Sequence, residues 1–474
     1  MEFRTNKKDL LAALTSAAAV AKADEDTPIL GTVLLAAEDG RLTLTGTDLA
    51  LFLSGHVAAD VREPGRVAVL ASQLHKVVKA LPGERVRVKL LGGAVLEIAT
   101  ARDRYELGAV PAKDFPEVPE TAGVTWASAP ASLLAGLLGR VLPFASRDED
   151  RQNLFGVQLD WEEGHGRAVA CDGHRLAVAT SRDPEAWRGV LRDGTEMPIV
   201  PRPGVKEILR FLKGAKEAVE LGIAKGWLFV RRGAVQLSVH LAEGTFPPWQ
   251  EIMPQRADSS CIVERRAFAE AIKRALVVVP RGVAPGVRQH FEDGALTVEA
   301  GVEDVSLARI ELDADYQGDK LTMGVNGRFL LDGLSLVGAD LIWLGLCGAL
   351  SPLLLKPCLG SGQPAEDFAA IIMPMNLGDE EPEARAAQEE AAKDSRGPLF
   401  GDEPPVSAAS RKAPAIETVT ITAPGLEPVT LTGEAFAKLG ERVAQKQTQV
   451  AQRGRKRGAK KEPAAAPAKE PTAP

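Results

Sequence analysis

The feature that most constrains this chain is a weak threefold internal repeat. A pattern of alternating apolar residues on both sides of a polar turn begins at Leu42 (LTLTGTDLALFL), at Ala168 (AVACDGHRLAVA) and at Leu296 (LTVEAGVEDVSLARI). Alternation with period two is typical of half-buried, paired strands. The copies begin 126 and 128 residues apart, which is the length of one modest domain. The sequence therefore predicts three similar domains.

Amphipathic segments recur in the same phase as the strand pattern. Each repeat opens with one predicted helix and contains a second some 60 to 75 residues later. The first helices are Asp9–Lys22, Pro130–Leu142 and Arg266–Val278, and the second are Ser72–Leu81, Gly204–Leu212 and Arg328–Leu336. The intervening sequence is typical of short strands. The predicted class is α+β, with two helices packed on one face of curved antiparallel sheets in each of three repeated domains.

The repeats divide the chain into predicted domains at residues 1–122, 123–256 and 257–377. Residues 378–413 are rich in Glu, Asp, Ala and Pro, a composition typical of a disordered acidic linker. Residues 414–445 alternate and then become helical in pattern, which predicts a small hairpin-helix element. Residues 446–474 carry RGRKRGAKK and Pro/Ala/Lys repeats, so we expect a basic disordered tail.

The formal net charge of -7 argues at first against a polyanionic partner. An approaching polyanion, however, responds to the local field of one surface. Lys206, Arg210 and Lys213 lie on a different face of their predicted helix from its apolar residues, whereas several strand-to-strand turns are acidic. The chain can therefore present a basic helical face. The alternative is that such exposed helix charges are only solvated.

Composition gives no sign of a cofactor, a metal or a catalytic centre. The four cysteines lack metal-binding spacing and fit a reducing compartment. The N-terminus lacks the pattern of a signal peptide, and no apolar run is long enough to cross a bilayer, which predicts a cytoplasmic protein. The run Asp172-Gly173-His174-Arg175 has no partner histidine and no nucleophile arrangement, so it predicts a hairpin turn rather than an enzyme site.

Eight short segments resemble one known family. They are TPILGTVLL (Thr27–Leu35), LTLTGTDLAL (Leu42–Leu51), VPAKDFP (Val110–Pro116), CDGHRLAV (Cys171–Val178), IVPRPGV (Ile199–Val205), GTFPPWQEIMP (Gly244–Pro254), GVNGRFLLDGL (Gly324–Leu334) and MPMNL (Met373–Leu377). Their order is that of the bacterial DNA sliding clamp, the beta subunit of DNA polymerase III. The resemblance covers Met1–Leu377, about four fifths of the chain.

The resemblance implies a non-catalytic processivity factor for DNA replication. Its three-domain protomers would form a head-to-tail homodimer, a pseudo-sixfold ring around double-stranded DNA without sequence preference. It implies DNA polymerase III, other polymerases and a clamp loader as partners, and no cofactor. The alternative is a clamp-fold paralogue that has a regulatory or partner-binding role. An enzyme acting on nucleic acid would need clustered carboxylates or a metal motif, which the sequence lacks.

The resemblance also implies three sets of site residues. A pocket for partner peptides would comprise Leu154, Cys171, Gly173, His174, Arg175, Leu176, Pro247, Ile252, Ile371, Ile372, Met373, Pro374 and Met375. DNA-binding candidates are Lys76, Lys79, Arg147, Arg151, Arg202, Lys206, Arg210, Lys213, Arg266, Lys273 and Arg281. The dimer interface would pair Tyr105 and Leu107 with Leu276 and Val277, although these apolar residues are equally compatible with internal core.

This chain departs from the family pattern at several positions. Glu251 and Asn376 stand where relatives tend to carry arginine, which changes the peptide charges that the pocket would tolerate. Asp24 stands where many relatives have a basic residue. The extension beyond Leu377 contains Pro398-Leu399-Phe400, which resembles the apolar end of a clamp-binding peptide. An incidental linker string is the alternative interpretation.

Overall fold

The computed structural model describes residues 1–22, 26–162, 164–184, 186–189, 197–280, 282–302, 306–377, 418–421 and 429–432. The chain divides into two units, Met1–Glu389 and Glu390–Pro474. Asp24, Arg281, Pro398-Leu399-Phe400, the predicted linker and the basic tail lie outside the described residues. No helix among the described residues is long and apolar enough to cross a membrane.

The predicted helices are confirmed, each with bounds within three residues of the prediction. The helices are α1 (Lys7–Val20), α2 (Ala71–Ala80), α3 (Ala131–Val141), α4 (Arg202–Leu212), the short α5 (Trp249–Ile252), α6 (Arg265–Ala275) and α7 (Gly327–Leu336). Apolar side chains at helical spacing are buried, as with Val205, Ile208 and Leu212 of α4. Side chains that accept hydrogen bonds from the first-turn amides begin α6 and α7, through Glu264 and Asn326 respectively.

The strands account for most of the remaining structure. In the first repeat they are β1 (Glu2–Asn6), β2 (Thr32–Glu38), β3 (Arg41–Thr47), β4 (Leu51–Glu63), β5 (Gly65–Leu70), β6 (Arg85–Leu91), β7 (Val95–Ala99) and β8 (Arg104–Pro111). In the second they are β9 (Trp126–Pro130), β10 (Gly156–Glu162), β11 (His165–Cys171), β12 (Arg175–Arg182), β13 (Ile199–Pro201), β14 (Ala218–Ala224), β15 (Trp227–Arg232) and β16 (Val235–His240). In the third they are β17 (Ser259–Glu264), β18 (Gly286–Glu292), β19 (Ala295–Val302), β20 (Ser306–Asp313), β21 (Asp315–Gln317), β22 (Leu321–Asn326), β23 (Leu341–Leu346), β24 (Leu353–Pro357) and β25 (Phe368–Ile372). In the part of the chain from Glu390 to Pro474, β26 (Thr418–Ile421) pairs with β27 (Val429–Thr432) in antiparallel fashion.

Each repeat contains two units of strand, helix and three further strands, and the two units exchange their first strands. The first repeat therefore has the strand sets β1-β6-β7-β8 and β5-β2-β3-β4, which also pair with each other through β8 with β5 and β1 with β4. The second has β9-β14-β15-β16 and β13-β10-β11-β12, and the third has β17-β23-β24-β25 and β22-β18-β19-β20. The two long helices of each repeat pack against each other, α1 on α2, α3 on α4 and α6 on α7. This arrangement confirms the predicted α+β class with two helices per repeat.

Neighbouring repeats are joined edge to edge by the last strands of their sheets. β4 pairs with β16 so that Leu53 lies opposite Leu237. β12 pairs with β25 so that Ala177 lies opposite Ala370. Two continuous antiparallel sheets therefore cross the two domain junctions.

The apolar core lies between the helices and the sheets. One cluster of buried side chains fills the first repeat, and a second, larger cluster runs through the second and third repeats. Burying a Leu, Val or Phe side chain stabilises a fold by roughly 1.5 to 3 kcal/mol relative to exposure. This continuous core fixes the positions of the last strands, on which the candidate sites lie.

Candidate binding surfaces

The turn between β11 and β12 has a defined geometry. The Asp172 carboxylate accepts hydrogen bonds from the backbone N–H groups of His174 at 3.0 Å and Arg175 at 3.1 Å. Gly173 adopts a φ of 90°, which favours glycine, and its N–H donates to the Cys171 sulfur at 3.3 Å. The run Asp172-Gly173-His174-Arg175 is therefore a hairpin turn, as predicted, in which Asp172 acts as a hydrogen-bond acceptor.

An apolar patch covers one face of the sheet at the junction of the second and third repeats. Leu176 lies opposite Ile371 in the pairing of β12 with β25, and both side chains point to this face. The buried members of the patch are Val169, Cys171, Leu176, Val178, Ile199, Phe246, Leu354 and Ile371. Half-buried Leu154, Trp249, Ile252, Met253 and Trp343 pack against them and remain partly in contact with solvent. Contiguous, partly exposed apolar surfaces are typical of interaction sites, which makes this patch a candidate.

Five of the thirteen predicted pocket residues lie in this patch, and Met373 and Pro247 lie beside it. Leu154, Cys171, Leu176, Ile252 and Ile371 belong to the apolar patch. Met373 stands beside the turn, because its N–H donates to the His174 carbonyl at 2.9 Å, and its side chain is 37% exposed. Pro247 accepts a hydrogen bond from the N–H of Trp249 at 2.7 Å.

Two predicted pocket residues point to the opposite face of the same sheet. Arg175 and Ile372 lie opposite each other and alternate with Leu176 and Ile371, so they face the helices. Ile372 is fully buried in the core cluster of the second and third repeats. The structure therefore separates these two side chains from the apolar patch.

Arg175 instead connects the second and third repeats. Its guanidinium donates to Asp172 at 2.8 Å, to Asp332 of α7 at 2.7 Å and to the Pro143 carbonyl at 3.0 Å. It also stacks on the rings of Phe144 and Phe329, at 4.9 and 4.3 Å from their centroids. A buried guanidinium with this many partners fixes the domain junction beneath the apolar patch.

Two further residues of the apolar patch were not predicted from the family resemblance, although the periodicity of their strands indicates them. Val169 and Val178 belong to the apolar patch and lie two residues from Cys171 and Leu176 on the same strands. The period of two would have identified them. Burial in this apolar environment raises the pKa of Cys171 to about 11, so its thiol is neutral at physiological pH.

The predicted DNA-binding residues fall into two groups. Lys76, Lys79, Arg147, Arg151, Lys206, Arg210, Lys213, Arg266 and Lys273 are exposed. Among these, Arg210 pairs with Glu207, Lys273 pairs with Glu270 at 2.8 Å, and Arg151 pairs with Asp148 at 3.7 Å. Arg274 on α6 and Arg328 on α7 are exposed basic residues that the sequence reasoning missed.

Arg202 is different, because its guanidinium is used inside the domain. It donates to the carbonyls of Leu142 at 2.9 Å and Ala145 at 2.7 Å, in the turn that follows α3. Burial lowers the pKa of Arg202 from its ordinary value. These contacts satisfy carbonyls at the end of a helical segment and hold α3 against α4.

The four predicted interface residues lie close to two strand edges, β20 and residues 104–108 of β8, that have no partner within the described residues. Tyr105 and Leu107 are on β8, and Tyr105 is 38% exposed. Leu276 and Val277 follow α6, and Val277 is 79% exposed. β20, which packs against α6, carries Leu307 at 67% exposure.

Comparisons with known proteins agree with this architecture. The models of the DNA polymerase III beta subunit match the chain in three consecutive segments. The N-terminal domain model matches residues 1–119, the central domain model residues 129–248 and the C-terminal domain model residues 250–376.

Individual relatives match over the same four fifths of the chain. The beta sliding clamp of Pseudomonas aeruginosa is 30% identical over 380 residues, covering 80% of this chain and 100% of that protein. The beta sliding clamp of Escherichia coli K12 is 27% identical over 387 residues with the same coverage. The crystal structure of the Pseudomonas aeruginosa DNA polymerase III subunit beta superposes with a TM-score of 0.71, at 29% identity and covering 80% of this chain and 100% of that one. A Caulobacter crescentus DNA polymerase sliding clamp gives a TM-score of 0.70 at 26% identity, with the same coverage.

Proposed function

The chain belongs to the DNA polymerase III beta subunit family, and we propose that it is a sliding clamp, a homodimeric ring that encircles duplex DNA and tethers the replicative polymerase. Its domains are assigned to residues 1–122, 123–256 and 257–377. A closed ring stays on DNA by topology and needs only weak contacts with phosphates, which permit sliding. The proposed role needs no catalytic group.

The observation that carries this proposal is a pair of open sheet edges. At both internal junctions, the last strand of a repeat's first unit pairs with the last strand of the next repeat's second unit. By the same rule, β20 of the third repeat requires the equivalent of β16 and β25, which is β8 of a first repeat. Within the described residues, β20 has a partner on one side only, and residues 104–108 of β8 pair only with β7. A second copy supplies the missing strand in both directions, which supports a closed head-to-tail dimer.

Internal symmetry also supports a specific register for this junction. In each repeat, the residue four positions before the first helix pairs with a residue on the next strand, and so on across the sheet to the last strand. This series of paired residues ends at Tyr105 in the first repeat, Leu237 in the second and Ala370 in the third. Leu237 and Ala370 pair with Leu53 and Ala177. The position equivalent to Leu53 and Ala177 in the third repeat is Ala308. Each of these three residues pairs with the residue that lies six positions after the glycine of the preceding hairpin turn. We therefore expect Tyr105 of one protomer opposite Ala308 of the other.

This register brings the predicted interface residues together. Tyr105 and Leu107 would lie on the same sheet face as Ala308 and Ile310, the face that packs against α6 and the turn containing Leu276. On the other face, Leu307 and Arg309 would approach Arg104 and Glu106. Large apolar side chains that are exposed in one protomer would thus be covered in the dimer.

The apolar patch is the proposed docking site for the polymerase and other partners. Its surface combines aliphatic, aromatic and methionine side chains, which adapt to the apolar anchors of a short peptide. The exposed basic residues on α2, α4 and α6 are the proposed phosphate contacts. A loader that opens the ring and a cytoplasmic location complete the proposal.

The proposal is tested by primer extension on a singly primed circle with the cognate polymerase III and clamp loader. We expect the chain to extend products from short fragments to full-length circles at a salt concentration where polymerase alone dissociates. Products that stay short while the chain still binds a polymerase peptide would favour the paralogue with a partner-binding role. Absence of both activities would contradict the proposed function.

A further inference from the structure

The chain crosses from the apolar patch to the sheet β22-β18-β19-β20 immediately after β25. We call residues Pro374–Leu377 the strap. Pro374 forms an antiparallel bridge with Val325, and the N–H of Met375 donates to the Gly324 carbonyl at 2.7 Å. At its far end, the Arg288 guanidinium donates to the Leu377 carbonyl at 2.7 Å. The strap is therefore attached to the third repeat at both ends.

The Leu377 side chain occupies a seat that exists because two residues lack a Cβ. A Cβ on Gly286 would lie 2.3 Å from the Leu377 Cδ2 atom. A Cβ on Gly324 would lie 2.9 Å from the Leu377 Cδ1 atom and 2.4 Å from the Met375 carbonyl oxygen. Neither glycine has a positive φ, so the backbone conformation does not require glycine at these positions. Glycine is required at these positions because the strap occupies the space that a Cβ atom would need.

Between its two anchors, one side of the strap borders a cavity. A cavity of about 340 Å³ is lined by Arg288, His290, Glu299 and the strap residues Met375, Asn376 and Leu377. Atoms that face a cavity lack packing partners on that side. The two end anchors therefore help to hold the strap on the sheet beside this cavity.

The strap is continuous with Met373, the exposed methionine at the edge of the apolar patch. The Met373 backbone is held on one side by the His174 carbonyl, and on the other by the strap that begins with the next residue. We propose that Gly286, Gly324 and Arg288 are positioning residues for partner binding: they seat Leu377, fix the strap and thereby place Met373 against the peptide. This inference rests on the proposed function of the apolar patch. None of the three residues belongs to that patch.

The test adds a single methyl group to the seat. Gly286→Ala and, separately, Gly324→Ala are compared with Gly338→Ala, a matched control whose Cβ would meet no atom within 4 Å. The probe is a fluorescein-labelled polymerase III peptide that carries a Leu-Phe pair, and binding to the full-length protein is followed by anisotropy. We expect the peptide Kd to rise about tenfold in both seat variants and to stay within twofold of wild type in Gly338→Ala.

A second readout separates positioning from loss of structure. Hydrogen exchange of the Met375 N–H should accelerate in the seat variants, while the thermal midpoint and the dimer mass match those of Gly338→Ala. If Gly286→Ala fails to fold, Leu377→Ala removes the anchoring side chain without a clash. In the wild-type background, Arg288→Lys should retain more peptide affinity than Arg288→Met. Faster exchange at Met375 with an unchanged Kd would overturn the inference. A wild-type chain that does not bind the peptide would instead contradict the proposed function.

Discussion

At the scale of single residues, the direction in which a side chain points decides its role. Arg175 and Leu176 are adjacent in sequence, yet Leu176 lies in the apolar patch and Arg175 holds the domain junction through Asp332. Family resemblance predicted both as pocket residues, because transfer by sequence position does not distinguish the two faces of a strand. Strand periodicity makes that distinction once the register is known.

The turn between β11 and β12, where the His174 ring stacks on Phe329 of α7, and the neighbouring Met373 are tested by shortening two side chains. We expect His174→Ala and Met373→Ala each to weaken binding of the labelled polymerase peptide about five- to tenfold, because a truncated side chain loses apolar contact with the peptide. The thermal midpoint should change little, since both residues are at the surface. Ser335→Ala on α7 serves as a surface control. Unchanged affinity in both variants would remove the patch from the proposed function.

Gln289 offers a separate test of the core. Its side chain is fully buried in β18, and neither its amide nitrogen nor its oxygen has a hydrogen-bond partner among the described residues. An unpaired buried amide costs about 1 to 3 kcal/mol, so Gln289→Leu is expected to raise the free energy of unfolding by about 1 kcal/mol. Urea denaturation measures this, with Gln236→Leu on β16 as the control. A loss of stability would indicate that the amide is paired in solution.

At the scale of helices and strands, the sequence was most informative where periodicity is local. The spacing of Val205, Ile208 and Leu212 predicted α4 because those residues share one helical face. The pairing of β12 with β25 could not be predicted, because Leu176 and Ile371 are far apart in sequence and no local pattern specifies long-range register. Arg202 shows the same limit: its charge suggested a phosphate contact, whereas its two carbonyl partners depend on the packing of α3.

The basic face of α4 is tested by charge reversal. We expect Lys206→Glu with Arg210→Glu to lower DNA affinity at low salt and to flatten the dependence of affinity on salt, because fewer counterions are released. The larger share of the effect should come from Lys206, since Arg210 already pairs with Glu207. The matched control reverses Lys225 and Lys320, which lie in strand-to-strand turns and give the same net charge. Equal losses in both double variants would refute a DNA-binding role specific to α4.

The junction of β8 with β20 is tested by cysteine cross-linking. Tyr105→Cys with Ala308→Cys should form a disulfide between protomers on oxidation, because directly opposed residues of antiparallel strands have Cα atoms about 4.5 to 5.5 Å apart, within the range that a disulfide spans. Tyr105→Cys with Leu307→Cys is the control, since a shift of one residue places the second thiol on the other face of the sheet. The covalent dimer is read from a non-reducing gel. Preferential cross-linking of the control would contradict the register.

At the scale of the whole molecule, the sequence pattern itself predicted the three repeats, whereas the ring was predicted only through the family resemblance. The repeat of turn and alternating strands beginning at Leu42, Ala168 and Leu296 predicted the number of domains. How the domains join depends on which strand edges have no partner. Among the described residues, the structure shows such edges at β20, which ends its sheet, and at residues 104–108 of β8, which pair only with β7. The two internal junctions then supply the rule that a second copy would complete.

The central claim is that retention on DNA is topological, and release on linearisation measures it directly. The protein is loaded onto nicked circular DNA by the cognate loader, separated from free protein, and treated with an enzyme that cuts the circle once. We expect it to stay on intact circles at moderate salt and to leave within minutes of cutting by sliding off the ends. Equal loss from cut and uncut circles, or continued binding to the linear product, would contradict the ring.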